Sequence, residues 1–375
     1  MPGAIAVLLC MSACAGAAAH AQSTPHPSIF ALPVAAACPT TPAMPTSAAP
    51  LSEKPEPRTV QATIPINYGP AAAAIGYGSV WVAAHRGAAT FRVNPATDAI
   101  TATIRVPLYN GNQDGPEGPI AVGPHGVWVP VGGQVGGANV TQVDPPRLLH
   151  IDPVTNTVTF DKVFDGIYNV VDTPTGVWVG VDPIYSEGPI RRALINIDPT
   201  TGSILRKVDL GPETVGAAYS PWFDAGFGSL WAIVSADTVV RVDPSSGKVV
   251  ASLHMPGVPL GLVAEGGAPD VFVDLADAAN QAVVARLNPS TNCVDAFTLI
   301  GGVGSLAGNP LTESGGGLYV TFGTGSLALI DTTTMRPLGS VGLDTADYLG
   351  QAIYGFGSVW FPTWSENTLL RIRPL

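Results

Sequence analysis

The amino-acid sequence predicts an all-β protein, a seven-bladed β-propeller with four antiparallel strands per blade, on three observations. A phrase written "GYGSVWV" from Gly76, "GFGSLWA" from Gly226 and "GFGSVWF" from Gly355 recurs in looser form along the chain. It places a large aromatic at Trp81, Trp128, Trp178, Trp231, Phe272, Tyr319 and Trp360, every 41 to 53 residues. A second phrase follows six of them: "NPATD" from Asn94, "DPVTN" from Asp152, "DPTTG" from Asp198, "DPSSG" from Asp243, "NPSTN" from Asn288 and "DTTTM" from Asp331. Finally, the last unit, "LLRIRPL", ends one strand short, while "VQATIPI" (Val60 to Ile66) resembles the outer strand "ITATIRV" (Ile100 to Val106).

Each observation has a physical reading. An aromatic among β-branched neighbours, just after a glycine turn, marks a strand. A four-stranded blade cannot bury both of its faces alone, so blades stack around an axis with the recurring aromatic between them. In the second phrase Asp or Asn bonds forward to backbone amides, Pro presets φ, and a closing Gly or Asn supplies a left-handed residue. Met335 stands where that residue belongs, which predicts a distorted turn in blade six. Pairing Val60–Ile66 with the last three strands closes the ring and removes two sheet edges.

In chain order, residues 1–21 read as a signal peptide, with a short apolar run and an Ala19-His20-Ala21 cleavage site before Gln22. The run around Ile5 to Met11 is too short to span a bilayer, so no transmembrane segment is expected. Met11-Ser12-Ala13-Cys14 also resembles a bacterial lipobox, which would leave Cys14 as a lipidated terminus. Either route predicts a secreted or periplasmic protein. Cys38 and Cys293 are then the remaining thiols. An oxidising compartment favours their pairing, the alternative being a free Cys38 in a tail. Residues 22–58, rich in Pro, Ala, Ser and Thr, read as a linker or arm, and residues 59–375 as the propeller.

A net charge of -11 and only 12% charged residues exclude a phosphate backbone as partner, so no nucleic acid is expected. The repeat, most complete in Gly226 to Leu253, resembles the YVTN-type and streptogramin lyase-like (virginiamycin B lyase-like) bacterial propellers. That resemblance implies the seven-bladed fold and, for the lyases, magnesium-dependent opening of a cyclic depsipeptide by elimination, using His and Glu. The lyase repeats run Trp-Phe-Thr-Glu. Here Val82-Ala83-Ala84, Val129-Pro130-Val131, Val179-Gly180-Val181 and Phe361-Pro362-Thr363 follow the aromatic.

With strands A to D named from the axis outward, all the short phrases fall on one face. The long connections, 107–118, 130–146, 182–192, 211–221 and 274–281, open on the other, where a ligand entrance belongs. Tyr68, Tyr109, Tyr168, Tyr219 and Tyr348 each precede an innermost strand on that face, with Trp222 beside them. They are candidates to stack on a sugar, peptide or aromatic ligand. The alternative is that each tyrosine packs on a neighbouring blade.

Asp172, Asp224, Glu265 and Glu313, on consecutive inner strands, could converge on a cation or instead cap the adjacent glycine turns. In "NGNQDGPEG", Asn110, Asn112, Asp114 and Gly115 form half of a calcium loop, but Ala121 replaces the bidentate Glu. No catalytic motif is visible. His85, Glu117 and Glu187 share the entrance face and are the first catalytic candidates, whereas His125, His150 and His254 lie on the turn face or within strands. The expected function is ligand or protein binding by an exported monomeric propeller, with no cofactor. The alternative is a lyase or hydrolase that uses magnesium.

Overall fold

The structure is a computed structural model that describes residue 38, residues 42–48 and most of 60–374. Residues 1–37, 39–41, 49–59, 86–88, 107–118, 132–145, 165, 182–190, 213–222, 265–269, 277–278, 280, 304–310, 314–316, 323–324, 344–351 and 375 lie outside the description. Seven four-stranded antiparallel sheets form a ring, and no helix occurs among the described residues. Six blades are continuous in sequence. The seventh joins the strand Val60–Pro65 to Thr368–Ile372, Ser358–Thr363 and Ile353–Gly355. The two chain ends therefore complete one sheet, as the sequence predicts.

Seven apolar clusters fill the seven seams between blades. Trp81 packs with Val122, Val129 and Ile151 of the next blade. Trp360 reaches across the ring closure to Ile75, Val80 and Val93. Every one of the seven recurring aromatics is at most 1% exposed, and each such burial contributes about 2–3 kcal/mol. The glycine before the turn has a specific task in three blades. The carbonyls of Gly76, Gly226 and Gly355 accept the indole N–H of Trp81, Trp231 and Trp360 at 3.1, 3.2 and 3.0 Å. In blade two Tyr77 of blade one takes the corresponding acceptor, donating its hydroxyl to the Gly123 carbonyl at 2.6 Å.

A second recurrent contact ties blade to blade. The strand C residue paired with the aromatic is Arg92, Arg241, Arg286 and Arg371 in blades one, four, five and seven. Arg92, Arg241 and Arg371 lie over the indole rings of Trp81, Trp231 and Trp360. Each also donates to the serine of the phrase, Ser79, Ser229 or Ser358. Their remaining donors reach the next blade's turn: Arg92 to the Pro153 carbonyl and Asn156, Arg241 to the Pro289 carbonyl and Asn292, Arg371 to Asp98. Arg286 does the same toward the carbonyls of Thr332 and Thr333. One planar, always charged group thus covers an indole and holds two blades.

Blades two, three and six have His150, Asn196 and Leu329 at this position. The His150 ring stacks near Trp128 at 4.7 Å and bonds the His125 carbonyl through Nε2. A side chain on Gly126 would collide with that nitrogen, which explains the glycine there.

The turns between strands C and D follow the predicted chemistry. Asn94, Asp152, Asp198, Asp243, Asn288 and Asp331 accept the amides of Ala96, Val154, Thr200, Ser245, Ser290 and Thr334. The residue four further on is left-handed in each, from Met335 at φ 54 to Gly247 at φ 69. Met335 corrects the expectation of a distorted turn. It adopts φ 54, and its amide bonds the Asp331 carbonyl at 2.8 Å, as in the other five turns. Burial offsets the strain, because the side chain packs into the cluster between blades five and six. A β-bulge or register shift follows in every C–D pair, including Val60/Ala62, so each outer edge is twisted out of line.

Cys38 and Cys293 form a disulfide with Cα atoms 5.5 Å apart. Cys293 opens the outermost strand of blade five directly after the left-handed Asn292, so the arm is fixed at the turn-bearing face. Met44 then packs against the seam of blades four and five.

Met335→Gly should cost about 1–2 kcal/mol despite the easier backbone, since a buried side chain outweighs about 1 kcal/mol of left-handed strain. A denaturant melt showing greater stability would contradict this. The carboxyls of Asp152, Asp198 and Asp331 are held below the usual 3.8 foremost by the amides of Val154, Thr201 and Thr334, and that of Asp243 foremost by the Ser246 hydroxyl. Their stabilisation is full above pH 3.8 and is lost as pH falls through the lower folded values. Thermal midpoints should therefore drop on acidification from about pH 5 to pH 2, and a flat profile would exclude these turns as the cause.

Candidate functional site

On the entrance face the described residues concentrate at the seam of blades seven and one. The chain leaves the closing strand at Pro65 and enters the innermost strand of blade one at Pro70, crossing the top of the ring in four residues. Tyr68 lies on this crossing with φ 82, followed by Gly69 at φ 65. Left-handed glycine is cheap; a left-handed tyrosine costs about 1–3 kcal/mol and persists only where its surroundings enforce it.

Three hydrogen bonds do so. The Ile66 amide donates to the Asn367 carbonyl at 2.8 Å, the Gly69 amide to Asn367 Oδ1 at 2.8 Å, and the His85 amide to the Gly69 carbonyl at 3.0 Å. Asn367 closes the loop Trp364-Ser365-Glu366-Asn367 between two strands of blade seven. Buried Thr363 closes the loop's base on Thr368.

Two rings support this crossing. Trp364 is partly buried against Gly69 and has His85 beside it, the ring centroids 4.7 Å apart and tilted by 36°. His85 is 8% exposed. It forms a wall of the rim and is not a solvated loop residue. Tyr68, in contrast, is 46% exposed. Ser365 and Glu366 form an exposed crest next to Trp364. The arrangement is a fixed aromatic rim with polar groups at its edge, suited to stacking and hydrogen bonding.

Among the other sequence candidates, Tyr109, Tyr219, Trp222, Tyr348, Glu117, Glu187, Asn110, Asn112, Asp114 and Glu265 lie outside the described residues. Tyr168 sits within the innermost strand Ile167–Thr173, at a bulge, and does not precede it. Glu313 ends a strand, and its side chain is outside the description.

Asp172 and Asp224 are placed, and both hold neighbouring blades. Asp172 accepts the His125 amide at 2.8 Å and faces His125 Nδ1 at 2.6 Å. Asp224 accepts the amides of Ala225 and Ala264 at 2.8 and 2.9 Å. These two acids cap turns and inner strands of neighbouring blades. Among the described residues no group of three His, Cys, Asp or Glu could hold a metal ion. Sequence reasoning missed Trp364 and Asn367. The available signal was a tryptophan that breaks the repeat, in a B-to-C loop, followed three residues later by an asparagine.

The fold is that of a β-propeller, with Tyr68 and Trp364 at one seam of its entrance face. No protein family matches the chain, and no curated protein matches it either. Among solved structures, a chain of hydrazine synthase from Kuenenia stuttgartiensis is similar, with a TM-score of 0.62 over 82% of this chain and 96% of that one, at 14% identity. At that identity the likeness is one of fold.

Tyr68→Asn tests whether the tyrosine serves the fold. Asparagine tolerates the left-handed backbone, so the thermal midpoint should stay level or rise by about 1–2 °C. A loss above about 1 kcal/mol would mean that the phenol is packed and not presented.

Proposed function

We propose that this chain is an exported propeller that binds a ligand or protein on its loop-rich face, without chemistry, and that Tyr68 and Trp364 form part of the contact surface. The observation that carries the reading is the backbone of Tyr68. Three hydrogen bonds maintain a costly conformation whose product is a half-exposed phenol beside a supported indole. Backbone strain clusters at ligand clamps and similar sites.

The Cys38–Cys293 bridge supports an oxidising compartment. The signal-like residues 1–21 agree with that, and so does the repeat's resemblance to YVTN-type and streptogramin lyase-like secreted propellers. The absence of Thr-Glu after the recurring aromatic favours binding over depsipeptide opening.

Screening wild type, Tyr68→Ala and Trp364→Ala against immobilised glycans and peptides tests this reading. A probe retained by wild type should lose at least about tenfold in affinity in each variant, the scale of one stacked aromatic. Probes that bind all three proteins equally would sink the proposal. Incubation with a cyclic depsipeptide and magnesium should leave the ring closed by mass spectrometry. Linear product would install the lyase reading instead.

A further inference from the structure

The strand that leads into the rim is an outer strand held differently from the other six. Every other outer strand is joined to its partner by the short left-handed turn, whereas Val60–Pro65 pairs with Thr368–Ile372 with no turn between them. Its burial pattern leaves only Ile64 inside, at 4%, with a register shift near its start. Edge strands with few buried side chains are where local opening begins. Beyond this strand the chain runs through Ile66, whose amide holds the Asn367 carbonyl, to Tyr68 and Gly69. Opening the strand therefore releases the bonds that fix Tyr68.

The strand has two covalent restraints. On its C-terminal side it is the start of blade one. On its N-terminal side it is the arm, packed by Met44 and fixed to blade five through Cys38 and Cys293. A strand tethered at both ends gains less chain entropy on opening than one with a free end. We infer that the Cys38–Cys293 bridge is a redox-sensitive control of the Tyr68 rim, acting through the closing strand. The inference rests on the proposal that this rim binds.

The chemistry is a thiol–disulfide exchange. A dithiol reductant supplies two electrons and two protons, the sulfur–sulfur bond breaks to give two thiols, and the reductant leaves as its own disulfide. Cys38 is exposed, so a thiolate can attack its sulfur, while Cys293 is 7% exposed and leaves as the thiol. In an oxidising compartment the rim stays assembled, and a reducing one loosens it.

Hydrogen exchange followed by mass spectrometry, with the folded protein oxidised or held in dithiothreitol, tests the idea without a ligand. Reduction should speed exchange across 60–69 by about 3- to 10-fold while 79–84, in the core of blade one, remains unchanged. Cys38→Ser should reproduce the reduced pattern in the absence of dithiothreitol. Equal rates in 60–69 in both redox states would overturn the inference, and so would faster exchange across all blades. If exchange responds but Tyr68→Ala alters no binding, the redox coupling stands and the binding reading falls. If binding depends on Tyr68 while exchange is indifferent to reduction, the reverse holds.

Discussion

An indole buried between two sheets, its N–H held by a glycine carbonyl and its face covered by an arginine, is the contact on which this ring depends. A β-sheet of four short strands exposes two apolar faces, and water would reach both in isolation. Placing one large flat side chain at every seam solves this seven times over, and the seam geometry then fixes the angle between blades. The glycine turn follows from the same contact, because the indole needs its carbonyl. So does the serine, which receives the arginine.

The arginine clasp is not uniform. Where His150 replaces it the contact becomes ring on ring, and Asn196 donates to the Val177 carbonyl of its own sheet. At blade six Leu329 carries no donor, and Tyr319 and Tyr354 stack across the seam with centroids 6.2 Å apart. Inner-strand acids supply further links, Asp172 to blade two and Asp224 to blade five. Polar ties between blades are thus exchangeable as long as the apolar seam is kept, since a hydrogen bond adds about 1 kcal/mol beside a larger hydrophobic contribution.

What was legible in the sequence was whatever the fold repeats. Seven aromatics, six turns and a matched pair of end strands are local patterns, and local patterns survive translation into blades. The Cys38–Cys293 pair followed from compartment chemistry. Met335 misled because propensity at one position ignores what the side chain gains elsewhere, and burial in the seam outweighed the left-handed penalty. Trp364 and Asn367 left only a faint trace in the sequence, for the opposite reason. Their role comes from a crossing almost 300 residues earlier in the chain, and no spacing rule links a tyrosine at 68 to an asparagine at 367. The clasp was hidden likewise, since Arg92 finds Pro153 and Asn156 only when two blades meet.

The point at which the arm is fixed gives the molecule a polarity. Cys293 is at the turn-bearing face and Tyr68 at the opposite one. A tether attached at Cys38 would hold the turn-bearing side toward its support and leave Tyr68 facing outward. The bridge then sets which way the ring looks as well as keeping it shut.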